Sequence, residues 1–318
     1  MLPSSIPIPI PGGLHDPLPR FVKVGQEFDL SAISDINASV AEQFQRFANN
    51  DLTGKSIAIG IGSRGIKQQP NVVRALIQEL KTAGAKPFII PAMGSHGGGS
   101  AEGQAAVLAS YGYTEEGMEV PIRSSMEVVE LGRIERDVPV YCDKLAMEAD
   151  HIIMCNRVKP HTDFRANHES GLVKMVAIGM AKHAGATALH FHGMGNFNTL
   201  LPAATEVFLE KTRTLFGVAM VENAEENLKH IEFVATEDFF DRDAALLEMA
   251  KTSIPRLYFN SIDVLIIDEI GKDISGAGMD PNVTGRPPSS LPGFDTGLSI
   301  NRIVVRDLSE KTEGNSTG

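Results

Sequence analysis

Six of the nine histidines, His151, His161, His168, His183, His190 and His192, crowd into one stretch that also carries Lys159, Arg165 and Lys174. Its densest part, KPHTDFRANHESGLVKM (159–175), sets imidazole, ammonium, guanidinium and carboxylate groups between two apolar segments. Imidazoles change charge near neutral pH, so they suit proton transfer, and their neutral form ligates metals. Lys174 stands among Leu172, Val173, Met175, Val176 and Ile178. It either snorkels out of an apolar surface or is desolvated for chemistry. His190 and His192 flank Phe191 beside glycines, which leaves a helix-end role and a metal-ligand role both open. Neither fits the H-E-x-x-H pattern of a zinc helix.

Two other polar stretches invite a chemical reading. GIGSRG (60–65) has the literal form G-x-G-x-x-G, but KQQP follows before a helix that starts at Pro70. The acidic residue expected about 20 positions further on is missing, so a dinucleotide fingerprint is disfavoured. HGGG (96–99) has the form of an esterase oxyanion loop, yet no G-x-S-x-G nucleophile elbow accompanies it. Its glycines, with Gly94 and Ser95 before them, still let backbone N–H groups approach an anion closely.

Each of these stretches follows a strand-like run. KSIAIGI (55–61), KPFII (86–90) and DHIIMCNRV (150–158) alternate with helical patterns near 70–83 and 101–111 and from about 171 through HFHG (193). FGVAMVEN, HIEFVATE and DVLIIDEI continue the pattern, with helices near 198–214 and 239–252. This predicts an α/β fold with a largely parallel sheet flanked by helices, its Ile/Val-rich strands buried on both faces. Ligands of such sheets bind beyond the carboxyl ends of the strands. The three loops therefore converge and bring Arg64, His96, Lys159 and His161 to one crevice. A boundary near 252–259 divides the chain into a catalytic, cofactor-binding domain (1–256) and a smaller second α/β domain (257–318). The second is short, so it is expected to be incomplete or to lean on the first.

Composition narrows the function. A net charge of −11 argues against nucleic acid and anionic membranes as partners. An anionic substrate then needs a local cationic pocket. With 42% apolar residues, 318 residues can build a sizeable core. Two cysteines make no disulfide scaffold and fit no zinc spacing; Cys155, inside a strand, is either a core thiol or a ligand. MLPSSIPIPIPGG lacks a signal-peptide pattern and reads as an extended arm, no run reaches transmembrane length, and a cytoplasmic setting is expected.

The ordered set SRGI, GSHGGGS, NRVKPHTDFR, SGLVKM and AKHAGATALH resembles the nickel-pincer lactate racemase family. The resemblance implies an active site between two domains and a nickel-pincer nucleotide, a pyridinium-3,5-bisthiocarboxylic acid mononucleotide carrying nickel, tethered to a lysine. By position, Lys174 matches the tether, His190 the nickel ligand, and His96 and His161 the acid/base pair. Arg64 matches the arginine that holds the substrate carboxylate, with Ser63, Lys159 and Arg286 as further substrate contacts and Gly94, Ser95 and Gly97 beside the cofactor. The chain departs from the family pattern at Ile61, where an Asp is usual, and in SGAGMDPNVTGR, where Pro281 and Thr284 replace polar contacts. A longer spacer between His161 and Lys174 makes His168 a competitor of His161. The implied activity is racemisation or epimerisation of a small anionic 2-hydroxy acid by proton-coupled hydride transfer, and a homo-oligomer is compatible with it. Two rivals stand beside it: a family member that acts as an oxidoreductase or hydrolase on a hydroxy or sugar acid, and a non-enzymatic anion-binding protein.

Overall fold

The computed structural model describes residues 20–63, 66–312 and 314; Arg64 and the Ile-Pro arm lie outside the described residues. Five strands form the main sheet: β1 (Ser56–Ile61), β2 (Lys86–Pro91), β5 (His151–Arg157), β6 (Thr214–Glu222) and β7 (Leu228–Val234). Their order is β2-β1-β5-β6-β7. The first four run parallel, and β7 pairs antiparallel with β6. The reversal comes from a short hairpin in which the Asn223 side chain accepts the amides of Glu225 and Asn227.

Strands of this sheet are buried on both faces, as their Ile/Val-rich runs require. Ile57, Ile59, Ile61, Ile153 and Cys155 join one core with the helix Gln69–Thr82. Ala58, Ile152 and Met154 join the other with Met175 and Met180. Cys155 is a free, buried thiol in the first of these cores, and burial pushes its pKa up. Pro70 sits in the first turn of its helix, where its missing N–H costs nothing.

Two pairs of strands stand apart from this sheet. β3 (Val128–Ile134) and β4 (Val138–Asp143) form an antiparallel hairpin that sequence reading passed over. It packs on the helices Lys182–His190 and Phe197–Lys211. β8 (Ser261–Ile270) and β9 (Ser299–Leu308) form a parallel pair. The apolar run of β8 was expected to be buried on both faces, yet Val264 and Ile266 are exposed, as is Val304 on β9. Among the described residues, no helix is long and apolar enough to cross a membrane.

The stretch expected to be one helix, 170–193, is broken in three. A short turn, Leu172–Lys174, runs into a π-helical turn, Met175–Gly179, and a new helix starts at Lys182 with φ +55°. A buried charge stands at the break. Lys182 is fully buried, and its ammonium lies 2.8 Å from the equally buried Asp143 carboxylate at the end of β4. It also donates to Pro91 O at the end of β2.

Candidate active site

The strand order reverses at β1, between β2 and β5, which is where open α/β sheets leave a crevice for ligands. A cleft of about 270 Å³ opens there. Its lining includes Ser63 from the loop after β1, Ser95 and His96 from the loop after β2, and Lys159 and His161 from the loop after β5. Lys174 and His190 from the broken helix complete it, and Gly276 reaches in from the C-terminal segment. Arg157, Lys159 and Lys174 line it, and Asp163 is the one carboxylate among its described lining residues. Basic side chains thus outnumber carboxylates in this lining, on an acidic protein.

Each imidazole is held by its own loop chemistry. His96 Nδ1 meets the Ser63 hydroxyl, and the Ser63 carbonyl accepts the Tyr111 hydroxyl at 2.6 Å. The buried Gln104 side chain donates to Gly94 O and His96 O, at 2.9 and 3.2 Å. His161 Nδ1 accepts the Asp163 amide at 3.0 Å, and His161 Nε2 lies 2.5 Å from Lys174 Nζ. His190 Nδ1 donates to Ala186 O at 2.6 Å one helical turn earlier. That bond places the proton on Nδ1 and leaves the Nε2 lone pair available, the tautomer a metal requires.

An aromatic chain joins the two sides of the cleft. The His161 ring packs on Phe164 at 4.4 Å, Phe164 meets Phe197 edge-on at 5.2 Å, and Phe197 meets His190 edge-on at 5.2 Å. Both phenylalanines are buried, so they fix ring orientations that loops alone leave loose.

The loop 159–170 is pinned at its base by Lys159 and Ser170, which exchange backbone hydrogen bonds at 2.8 and 3.2 Å. Buried Glu169 accepts the His161 amide at 2.7 Å and the Arg165 guanidinium at 3.1 Å. Arg165 also pairs with Asn282, donates to Gly293 O and stacks over Phe294, so the C-terminal segment clamps this loop. Asp243, from the helix Phe239–Ser253, accepts the Leu172 amide at 2.6 Å and faces His168 Nδ1 at 3.0 Å. His168, the expected competitor of His161, therefore fastens the start of the helix that carries Lys174 and does not line the cleft.

Other expected contacts also fall elsewhere. Arg286 is exposed and donates to Ile300 O. The Gly94 amide donates to Gly179 O at 3.2 Å, and neither Gly94 nor Gly97 lines the cleft. Gly97 has φ +64°, and a Cβ there would lie 2.7 Å from the Gln104 amide, so it shapes the loop. His151 sits at the amino end of β5, away from the cleft at the carboxyl end. Sequence reading missed Gln104, Lys182, Glu169, Asp243 and Asn282. The available signal was a polar residue on an otherwise apolar face, as with Gln104 in AEGQAAVLAS.

Arg157 and Glu222 form a largely buried pair at 2.7 Å on the floor side of the cleft. Burial pushes the Glu222 carboxyl up, and the Arg157 guanidinium opposes that shift. Among the described residues, no three His, Cys, Asp or Glu side chains cluster as a metal site.

A family model described as the lactate racemase N-terminal domain matches residues 47–199. No curated protein matches. Among solved structures, the lactate racemase apoprotein from Thermoanaerobacterium thermosaccharolyticum is similar in fold, with a TM-score of 0.54 at 15% sequence identity. The match covers 76% of this chain and 61% of that one, so the chain spans less than two thirds of that structure's length. His96, His161, Lys174 and His190 all lie inside the matched residues, over which the chain is similar to the lactate racemase N-terminal domain.

Proposed function

We propose that the cleft racemises or epimerises a small 2-hydroxy acid with a nickel-pincer nucleotide joined to Lys174 and ligated by His190. The observation that carries this reading is the meeting of His96 and His161, on separate loops, with Lys174 and His190 in one cleft. The donor set suits the cofactor: an imidazole with its Nε2 lone pair available, and an amine half-buried in the same cleft. When bound, the group would supply the two-electron acceptor for the α-hydrogen, which is far too weakly acidic for direct removal at neutral pH.

The chain's own residues do the rest. His161 carries its proton on Nε2, because Nδ1 is occupied by the Asp163 amide. It is therefore the acid of the resting site. His96, its Nδ1 in contact with the Ser63 hydroxyl, is the partner that takes the hydroxyl proton. In the reverse direction the two exchange roles. Lys159 and the hydroxyls of Ser63 and Ser95 line the cleft where a carboxylate needs donors, and they hold the planar oxo acid while it turns.

Cofactor-loaded protein is expected to contain nickel and to show a mass adduct on the Lys174 peptide. Lys174→Ala is expected to lose both the adduct and stereochemical exchange. Full exchange by Lys174→Ala refutes the tether.

A further inference from the structure

Hydrogen-bond roles around His161 fix the state of Lys174 before anything is attached to it. A backbone amide can only donate, so the Asp163 N–H at 3.0 Å makes His161 Nδ1 an acceptor. The Asp163 carboxylate, at 3.7 Å, is too far from Nδ1 to take a proton from it as a hydrogen bond. The neutral ring then carries its proton on Nε2, which points at Lys174 Nζ 2.5 Å away. An N–H donor needs a lone pair opposite it, and an ammonium has none. Lys174 must therefore accept, as a free amine. Among the described lining of the cleft the charged or titratable side chains beside this pair are His96, Arg157, Lys159, Asp163 and His190; the positive charge of Arg157 and Lys159 disfavours an ammonium, and the Asp163 carboxylate opposes that.

We infer that His161 holds Lys174 as a free amine, which makes Lys174 the nucleophile at which the chain accepts an acyl group. The inference rests on the reading of Lys174 as the tether and adds how the chain prepares it. In the acyl transfer, the Nζ lone pair forms an N–C bond, the bond from the carbonyl carbon to its leaving group breaks, and the amine proton departs with that group. Nothing is oxidised or reduced. Acylation removes the amine lone pair that the His161 proton points at, so loading the lysine frees Nε2 for the substrate. Lys174 attachment and His161 proton transfer are thereby ordered in time.

The test uses the full chain without cofactor or nickel, pulsed with acetic anhydride, with each lysine scored by peptide mass. An ordinary exposed lysine is a free amine in only about one molecule in 2,500 at pH 7. Lys174 is expected to acetylate at least about tenfold faster than exposed Lys211 at that pH, allowing for its half-buried position. Its rate should stay nearly level from pH 7 to 9 while the Lys211 rate climbs steeply. His161→Phe should drop Lys174 to the Lys211 rate, and His161→Gln, which restores an N–H donor, should recover part of it. Buried Lys182 staying unlabelled reports that each variant is folded. A Lys174 rate that climbs in parallel with Lys211, or is unchanged in folded His161→Phe, overturns the inference, and the wild-type pH profile alone decides it if that variant unfolds. Because no cofactor is present, failure of the tether reading shows separately, as loaded protein with no adduct on a lysine that still labels fast.

Discussion

Lys182 links three parts of the cleft through one buried charge: the end of β2, the end of β4 and the helix that ends at His190. Removing one partner of a buried pair strands the other, so Lys182→Met is expected to cost about 3–5 kcal/mol in denaturant unfolding. The pair replacement Lys182→Met with Asp143→Leu should recover much of that loss, since both charges then leave the interior together. At the cleft itself, His96→Asn and His161→Asn should each lower kcat by about 10²–10⁴ with little change in melting temperature, as expected of proton-transfer groups at the cleft. These four cleft residues, His96, His161, Lys174 and His190, were legible because three loops at strand ends and one ordered motif set carried them. Lys182 and Asp243 were not, because their partners lie far along the chain and nothing local marks a side chain that will be buried with a distant group; Gln104 showed only as a polar residue on an apolar helix face. Lys174, open between a surface and a chemical role in the sequence, lies half-buried beside His161 Nε2.

The helices and strands divide in the same way. Apolar runs gave β1, β2, β5 and β6 almost to the residue, since strands buried on both faces need them. The hairpin β3–β4 was missed: VVELGRIERDVPVYCD mixes charges with a glycine at a register shift, so neither period shows. The break in the helix after Lys174 was also hidden, because helical periodicity runs through it and the buried ion pair beside it does not appear in a pattern. Two predictions belong here. Phe164→Ala removes the aromatic contact that joins His161 to Phe197, and should cost about 3–5 kcal/mol in stability. Glu232 on β7 grips Arg242 at 2.6 and 2.8 Å. Burial opposes ionisation of Glu232, but the Arg242 and His230 contacts win and hold the carboxyl below its ordinary value of 4.5. Its contribution is therefore present above that value and lost as pH falls through the lower folded one. Glu232→Gln should flatten the acid side of a melting-temperature profile and leave the alkaline side unchanged.

For the molecule as a whole, an acidic chain folds around a cleft lined by more basic than acidic side chains, a place that net charge alone does not locate. The fold class was readable from strand–helix alternation. The clamp of 282–294 on Arg165 was not, since the polar loop gives no sign of where it docks. We propose the division near residue 256 as a domain boundary. Trypsin should cut first after Arg256, which is exposed, and the two pieces should stay together through that clamp on size-exclusion chromatography. The most direct measurement of function follows a 2-hydroxy acid deuterated at its α-carbon through the cofactor-loaded protein in ordinary water. Hydride transfer and return predict interconversion of the two stereoisomers with deuterium retained at that carbon. Interconversion with deuterium washed out to solvent, or none across a panel of such acids, contradicts it.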